Sequence, residues 1–97
     1  MSISTHVLDT QRGEPARGVT VELFRGDDLV ASGETDDDGR IAELAPDGIE
    51  PGVYRLVFRL DGFFEQVEVS VRITDVGRNY HVPLLVSPFS CVTYLGS

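Results

Sequence analysis

The sequence predicts an all-β fold, an antiparallel β-sandwich of about eight short strands with little or no helix, on three observations. Apolar residues recur with a period of two through most of the chain, as strands with one buried face require. Clusters of Gly, Pro and Asp interrupt these runs at short intervals and supply the turns. No stretch sustains the 3.6-residue apolar stripe that an amphipathic helix needs.

Taken in order, the first strand is expected from Ile3 to Leu8, with Ile3, Thr5 and Val7 on one face and Ser4, His6 and Leu8 on the other. A turn at Arg12-Gly13-Glu14-Pro15 leads to a second strand, Val19 to Phe24, where Val19, Val21 and Leu23 alternate with Thr20 and Glu22. Arg25-Gly26-Asp27-Asp28 reads as a hairpin turn into a third strand, Leu29 to Glu34, and Asp36-Asp37-Asp38-Gly39 as the turn before a short fourth, Arg40 to Ala42. At most a single turn of helix fits around Ala45 to Ile49. After Glu50-Pro51-Gly52, Tyr54, Leu56, Phe58 and Leu60 alternate with Arg55 and Arg59 in a fifth strand, Val53 to Leu60. Asp61-Gly62 precedes a sixth, Gln66 to Thr74, in which Val67, Val69, Val71 and Ile73 share a face. Past Val76-Gly77 come a seventh strand, Tyr80 to Val86, and an eighth, Cys91 to Leu95. There are no internal repeats, linkers or low-complexity tracts, and residues 1–97 read as one domain.

Composition narrows the partners. A domain of 97 residues hides only about two-thirds of its chain surface, so association would help its modest core. Sixteen acidic against eight basic residues give a net charge of −8, which repels nucleic acid and anionic membrane. All eight basic residues are Arg, and an Asp-rich surface without Lys is what a protein kept hydrated in high salt would carry. High-GC codon usage would also favour Arg. The single cysteine, Cys91, has no partner for an internal disulfide, and the start of the chain lacks a basic segment followed by an apolar one, so a cytoplasmic protein is expected. The longest apolar run, Val82 to Val86, contains Pro83 and falls far short of the ~20 residues of a membrane helix.

The only two imidazoles, His6 and His81, lie in strand-like segments near opposite ends of the chain. On the seventh strand His81, Pro83 and Leu85 share one face and Tyr80, Val82, Leu84 and Val86 the other, so neighbouring first and seventh strands would carry both imidazoles on one outer face. Each histidine alone is as readily an ordinary half-buried strand residue, and Arg40 alone a solvated turn residue. Two histidines fall short of a zinc set, and no cysteine or carboxylate has ligand spacing. Asp36 to Asp38 lack the Gly, backbone and distal Glu pattern of a calcium loop and read as a solvated acidic turn. Cys91 reads as a small buried apolar group, and no metal or cofactor is expected.

Four segments together carry a resemblance: Ser4-Thr5-His6-Val7-Leu8-Asp9, Asp38-Gly39-Arg40, the run from Tyr80-His81-Val82-Pro83 to Pro88-Phe89-Ser90, and the terminal Thr93-Tyr94-Leu95-Gly96-Ser97. In that order they resemble the 5-hydroxyisourate hydrolases, the enzyme branch of the transthyretin-like family, over nearly the whole chain. The resemblance implies an eight-stranded transthyretin-like sandwich that assembles as a homotetramer, a dimer of dimers with active sites between the dimers. It implies His6, Arg40 and His81 as catalytic residues, and Tyr94, Gly96 and Ser97 as residues against the substrate, 5-hydroxyisourate. Transthyretin itself, the carrier branch, lacks these histidines and the terminal tetrapeptide. Three positions depart from the family pattern. Asn79 stands for the first His of the HYH triplet, Leu95 replaces the Arg of YRGS, and the segment Asp61-Gly62-Phe63-Phe64 is shorter, as if the family's short helix were deleted.

The implied reaction opens a ring amide by hydrolysis, which needs a base for water and a donor for the developing oxyanion. Imidazole, with a pKa near 6.5, can take a proton at neutral pH, and a guanidinium fork can dock two acceptors. The residues do not say which histidine is the base. Two further readings stand beside the enzyme: a transthyretin-like small-molecule or partner-binding protein that has lost turnover, and a carbohydrate-binding or pilin-like surface sandwich. The latter would carry a secretion signal and exposed aromatics.

Overall fold

Alternation along each strand decides which side chains meet. In the computed structural model, which describes residues 2–97, the strands are β1 (Ser2–Asp9), β2 (Glu14–Pro15), β3 (Thr20–Arg25), β4 (Asp28–Glu34), β5 (Arg40–Ile41), β6 (Gly52–Arg59), β7 (Gln66–Ile73), β8 (Asn79–His81), β9 (Leu84–Ser87) and β10 (Ser90–Thr93). None of the described residues is helical; a turn at Asp47 and Gly48 occupies the one place where a helical turn fits the sequence.

The strands form two sheets. One is ordered β4-β3-β6-β7 and is antiparallel throughout. The other is ordered β10-β9-β1-β2, with β5 and β8 also pairing β1. Tyr54, Leu56 and Phe58 of β6 and Val21 and Leu23 of β3 face Ile3 and Val7 of β1, Tyr80 of β8 and Leu84 of β9 across one apolar core. Burying such a face contributes roughly 1.5–3 kcal/mol per large side chain, which is why the period-two pattern specifies the register.

Three features differ from a plain reading of the periodicity. The expected strand from Tyr80 to Val86 is split, because Pro83 has no N–H for the ladder and ends the pairing on either side of Val82-Pro83. Both halves run parallel to β1, whereas every other strand pair is antiparallel. The chain crosses from one sheet to the other between β7 and β8, so no hairpin dictates the direction of β8. The two-residue β2, at an edge where Pro15 costs no ladder bond, lies inside what reads as turn.

β1 is therefore the spine on which the outer face of its sheet is built. On one flank β5 places Arg40 opposite His6; on the other β8 places His81 beside Ser4. Thr5, buried between them, donates to the Val82 carbonyl at 2.6 Å, and Val82 N–H donates to the Ser4 carbonyl at 2.9 Å.

The turn before Arg40 is equally determined. Asp36 Oδ1 accepts from the N–H groups of Asp38 and Arg40, both at 2.9 Å, an Asx-type closure. Gly39 sits at φ +76° with its Cα so near the Val7 carbonyl that a Cβ would lie 2.5 Å from that oxygen. The acidic cluster is thus structural, with Asp36 shaping the loop and Asp38 offering its carbonyl to His6.

Candidate active site

The outer faces of the two sheets are chemically different. On the four-stranded sheet, Arg59 pairs with Glu22 at 2.7 Å and Arg55 with Glu68 at 3.3 Å, so cations and carboxylates offset one another across β3, β6 and β7. On the sheet built around β1, neither Arg40 nor Arg78 has a carboxylate partner among the described residues. Both line one cleft of about 790 Å³ with Ser4, His81, Tyr94 and Leu95. Two unpaired guanidiniums in one cleft of a chain with net charge −8 mark a place suited to an electron-rich ligand.

His81 forms the centre of this cleft. Its Nδ1 lies 2.8 Å from Ser4 Oγ. On the other side the tail of the chain returns antiparallel to β8, and Gly96 N–H donates to the His81 carbonyl at 2.7 Å. Gly96 approaches the ring so closely that a Cβ there would come within 2.6 Å of His81 Cδ2. Its φ is not in the left-handed region, so close approach, not backbone freedom, calls for glycine at this point. Partial burial pushes the His81 pKa below its ordinary 6.5, and repulsion from the Arg40 charge, then from the cationic form of His6, pushes it further the same way. A neutral imidazole, able to accept a proton, is the form this cleft holds at neutral pH.

His6 lies on the same outer face, two residues along β1 from Ser4, but is not part of the cleft wall. Its Nε2–H donates to the Asp38 carbonyl at 2.9 Å, which leaves Nδ1 as the free nitrogen of the neutral ring. Of the six site residues that the sequence resemblance implies, five (Arg40, His81, Tyr94, Gly96 and Ser97) line the cleft, and His6 stands next to it within reach of His81 electrostatically. Ser2, Ser4, Arg78 and Asn79 also line it and lie outside that set. For Ser4 the sequence carries a signal, since it shares the face of His6 at a spacing of two. Arg78 sits in a turn, its guanidinium 5.2 Å from the centre of the Tyr80 ring, and no periodicity reaches it. Leu95, where the resembled pattern has Arg, lines the cleft without adding charge, whereas Arg78 supplies a cation at the same opening.

Among the described residues no group of three or more His, Cys, Asp or Glu is arranged to hold a metal ion. No helix of the described residues is long and apolar enough to cross a membrane.

The model of the HIUase/Transthyretin family matches residues 3–96. The chain is similar to the 5-hydroxyisourate hydrolase of Salmonella dublin, 40% identical over 109 aligned positions that cover 98% of this chain and 80% of that one. Among solved structures it is similar to 5-hydroxyisourate hydrolase of Klebsiella pneumoniae, with a TM-score of 0.90 and 31% identity over 99% of this chain and 98% of that one. It is also similar to sea bream transthyretin in complex with thyroxine, with a TM-score of 0.86 and 28% identity over 99% and 95% of the two chains.

Proposed function

The chain belongs to the HIUase/Transthyretin family, and from that premise we propose that it hydrolyses 5-hydroxyisourate as a single transthyretin-like domain, with His81, Arg40 and His6 carrying the reaction. The observation that carries the reading is His81 lining the same cleft as an unpaired guanidinium, Arg40, where burial and that charge favour the neutral imidazole. Sea bream transthyretin shows that the fold also serves to hold a ligand, so the chemistry of this cleft decides between carrier and enzyme.

In this reading Nε2 of His81 takes a proton from water as the water oxygen bonds to the carbonyl carbon of the ring amide. The displaced electron pair moves to the carbonyl oxygen, where the Arg40 fork offers charged donors. Collapse of the tetrahedral intermediate breaks the C–N bond, and the leaving nitrogen takes back the proton from the His81 imidazolium. Arg40 also disfavours that imidazolium, which keeps the proton transfer short-lived. His6, with Nε2 tied to Asp38, has its place fixed beside Arg40 and presents Nδ1 for orienting water or substrate. Tyr94, Gly96 and Ser97 bound the substrate, and the resting site needs no cofactor in this scheme.

An assembly as a homotetramer, a dimer of dimers, fits the same reading. The cleft lies open on an outer sheet face, and Phe89, Val92, Tyr94 and Leu95 along and beyond β10 are exposed apolar side chains that a second subunit would cover. A cytoplasmic setting accords with the unpaired Cys91. The test is a steady-state assay with freshly generated 5-hydroxyisourate followed by ultraviolet absorbance. Substrate decay at the spontaneous rate, with folded protein present, would leave a binding protein as the better description.

A further inference from the structure

The His81 ring is held on two sides. The parallel register of β1 and β8 sets Ser4 beside His81 and brings Ser4 Oγ to 2.8 Å from Nδ1. Gly96 covers the opposite edge, with Cδ2 and Cγ within 2.6 Å and 3.4 Å of where its Cβ would be. With those edges taken, Nε2 has no hydrogen-bond partner among the described residues, which leaves the corner formed by Cε1 and Nε2 as the part of this cleft-lining ring available to a ligand. A hydroxyl can accept from an imidazole N–H or donate to a bare ring nitrogen, so this pair has two tautomeric forms. If Ser4 accepts, Nδ1 carries the proton and Nε2 turns a lone pair to the cleft. If it donates, Nε2 carries the proton and offers no base. The cleft contains the unpaired cations Arg40 and Arg78, which attract a lone pair and repel an N–H dipole.

We propose that Ser4 is a positioning residue for the hydrolysis: its hydroxyl accepts the Nδ1 proton of neutral His81 and holds Nε2 unprotonated towards the cleft. This rests on reading His81 as the proton acceptor of the reaction. Ser4 reaches no reacting atom in this scheme; it acts through the ring, as the second nitrogen of a histidine is commonly controlled by its hydrogen-bond partner. Ser4 suits this role because its backbone is fixed as well, its carbonyl accepting Val82 N–H at 2.9 Å. The charged and titratable groups facing His81 are Arg40 from β5 and His6 from β1, and Arg78 and Tyr94 share its cleft.

The chain has only two histidines, so nitrogen-15 imidazole spectra of the full-length protein are readily assigned, and in a His6→Gln background they report His81 alone. At a pH above the His81 titration the expected spectrum has protonated Nδ1 and unprotonated Nε2. Ser4→Ala should move the population towards the Nε2–H form, and Ser4→Thr should keep the original tautomer. In turnover, with His6 present, Ser4→Ala should lower kcat about 10-fold while KM changes less than about twofold, and Ser4→Thr should restore most of kcat. An Nε2–H tautomer in the unsubstituted protein, or unchanged tautomer and unchanged kcat in Ser4→Ala, overturns the proposal. A shifted tautomer with unchanged kcat would leave Ser4 in control of the ring and overturn His81 as the base, which separates this inference from the reading beneath it.

Discussion

Arg40 and His81 stand on opposite flanks of one strand, Arg40 in register with His6 on β5 and His81 in register with Ser4 on β8, yet the guanidinium charge reaches across β1 and lowers the His81 pKa. Burial is the larger cause of that shift and Arg40 the next.

The acid limb of kcat/KM should therefore lie below pH 6.5, because the imidazole stays deprotonated until the pH falls past its lowered pKa. Arg40→Gln should move this limb to higher pH while lowering the rate, since one of the charges opposing the imidazolium is gone. The linkage has the same sign for stability. As pH falls below 6.5 the unfolded chain binds a proton at His81 before the folded chain does, so this group's contribution to folding is lost on acidification. A limb that stays in place in Arg40→Gln would mean that the two residues are not coupled.

Replacing His6, Arg40 or His81 by Ala should each lower kcat/KM by about 100-fold or more with little change in circular dichroism, because general-base and oxyanion contributions have that size. His81→Ala with nearly full turnover would contradict the assigned chemistry.

Gly96→Ala should act on the site without unfolding the protein. Its methyl would meet His81 Cδ2 at 2.6 Å, and ring and tail must part, so kcat should fall about 10-fold or more while the thermal midpoint moves by only a few degrees. Gly39→Ala is the contrasting case: with φ at +76° and the Val7 carbonyl 2.5 Å from the new Cβ, it should cost about 1–3 kcal/mol in a denaturant titration. Equal stability of the two variants would refute the distinction between a close approach and a strained turn.

Sedimentation at micromolar concentration should give a mass of about four times 10.6 kDa. An active monomer would show that the cleft needs no second subunit.

Stability should rise with salt. The net charge of −8 per chain becomes about −32 in a tetramer, and repulsion is screened as the Debye length falls from about 30 Å at 0.01 M to about 3 Å at 1 M. Thermal melts from 0.01 to 3 M KCl, read with sedimentation, should show a rising midpoint and no dissociation at the concentrated end. A flat series would return the Lys-free composition to codon usage.

The faces of the strands were legible because parity is a local property: Ile3, Thr5 and Val7 are buried and Ser4 and His6 turn outward, as alternation requires. Strand neighbours are not local. Alternation could place His6 and His81 on outer faces, but only the crossing between sheets puts β8 beside β1, parallel, and so makes Ser4 rather than His6 the residue that touches His81. The same limit hid Arg78, whose place depends on how the turn after β7 folds over Tyr80. Pro83 announced the break between β8 and β9 by its missing donor, although the surrounding apolar run masked it.

The place of β1 in the middle of its sheet also has a kinetic side. Two pairs of the antiparallel sheet, β3 with β4 and β6 with β7, join segments that lie close in sequence, whereas Ser4 meets His81 across 77 positions. Closing so long a loop carries an entropy cost that short hairpins avoid, and chains dominated by such distant pairings assemble slowly. The imidazole and its serine partner come together only when β8 joins β1, so assembling the cleft requires that long loop to close, and opening the seam between β1 and β8 takes the pair apart.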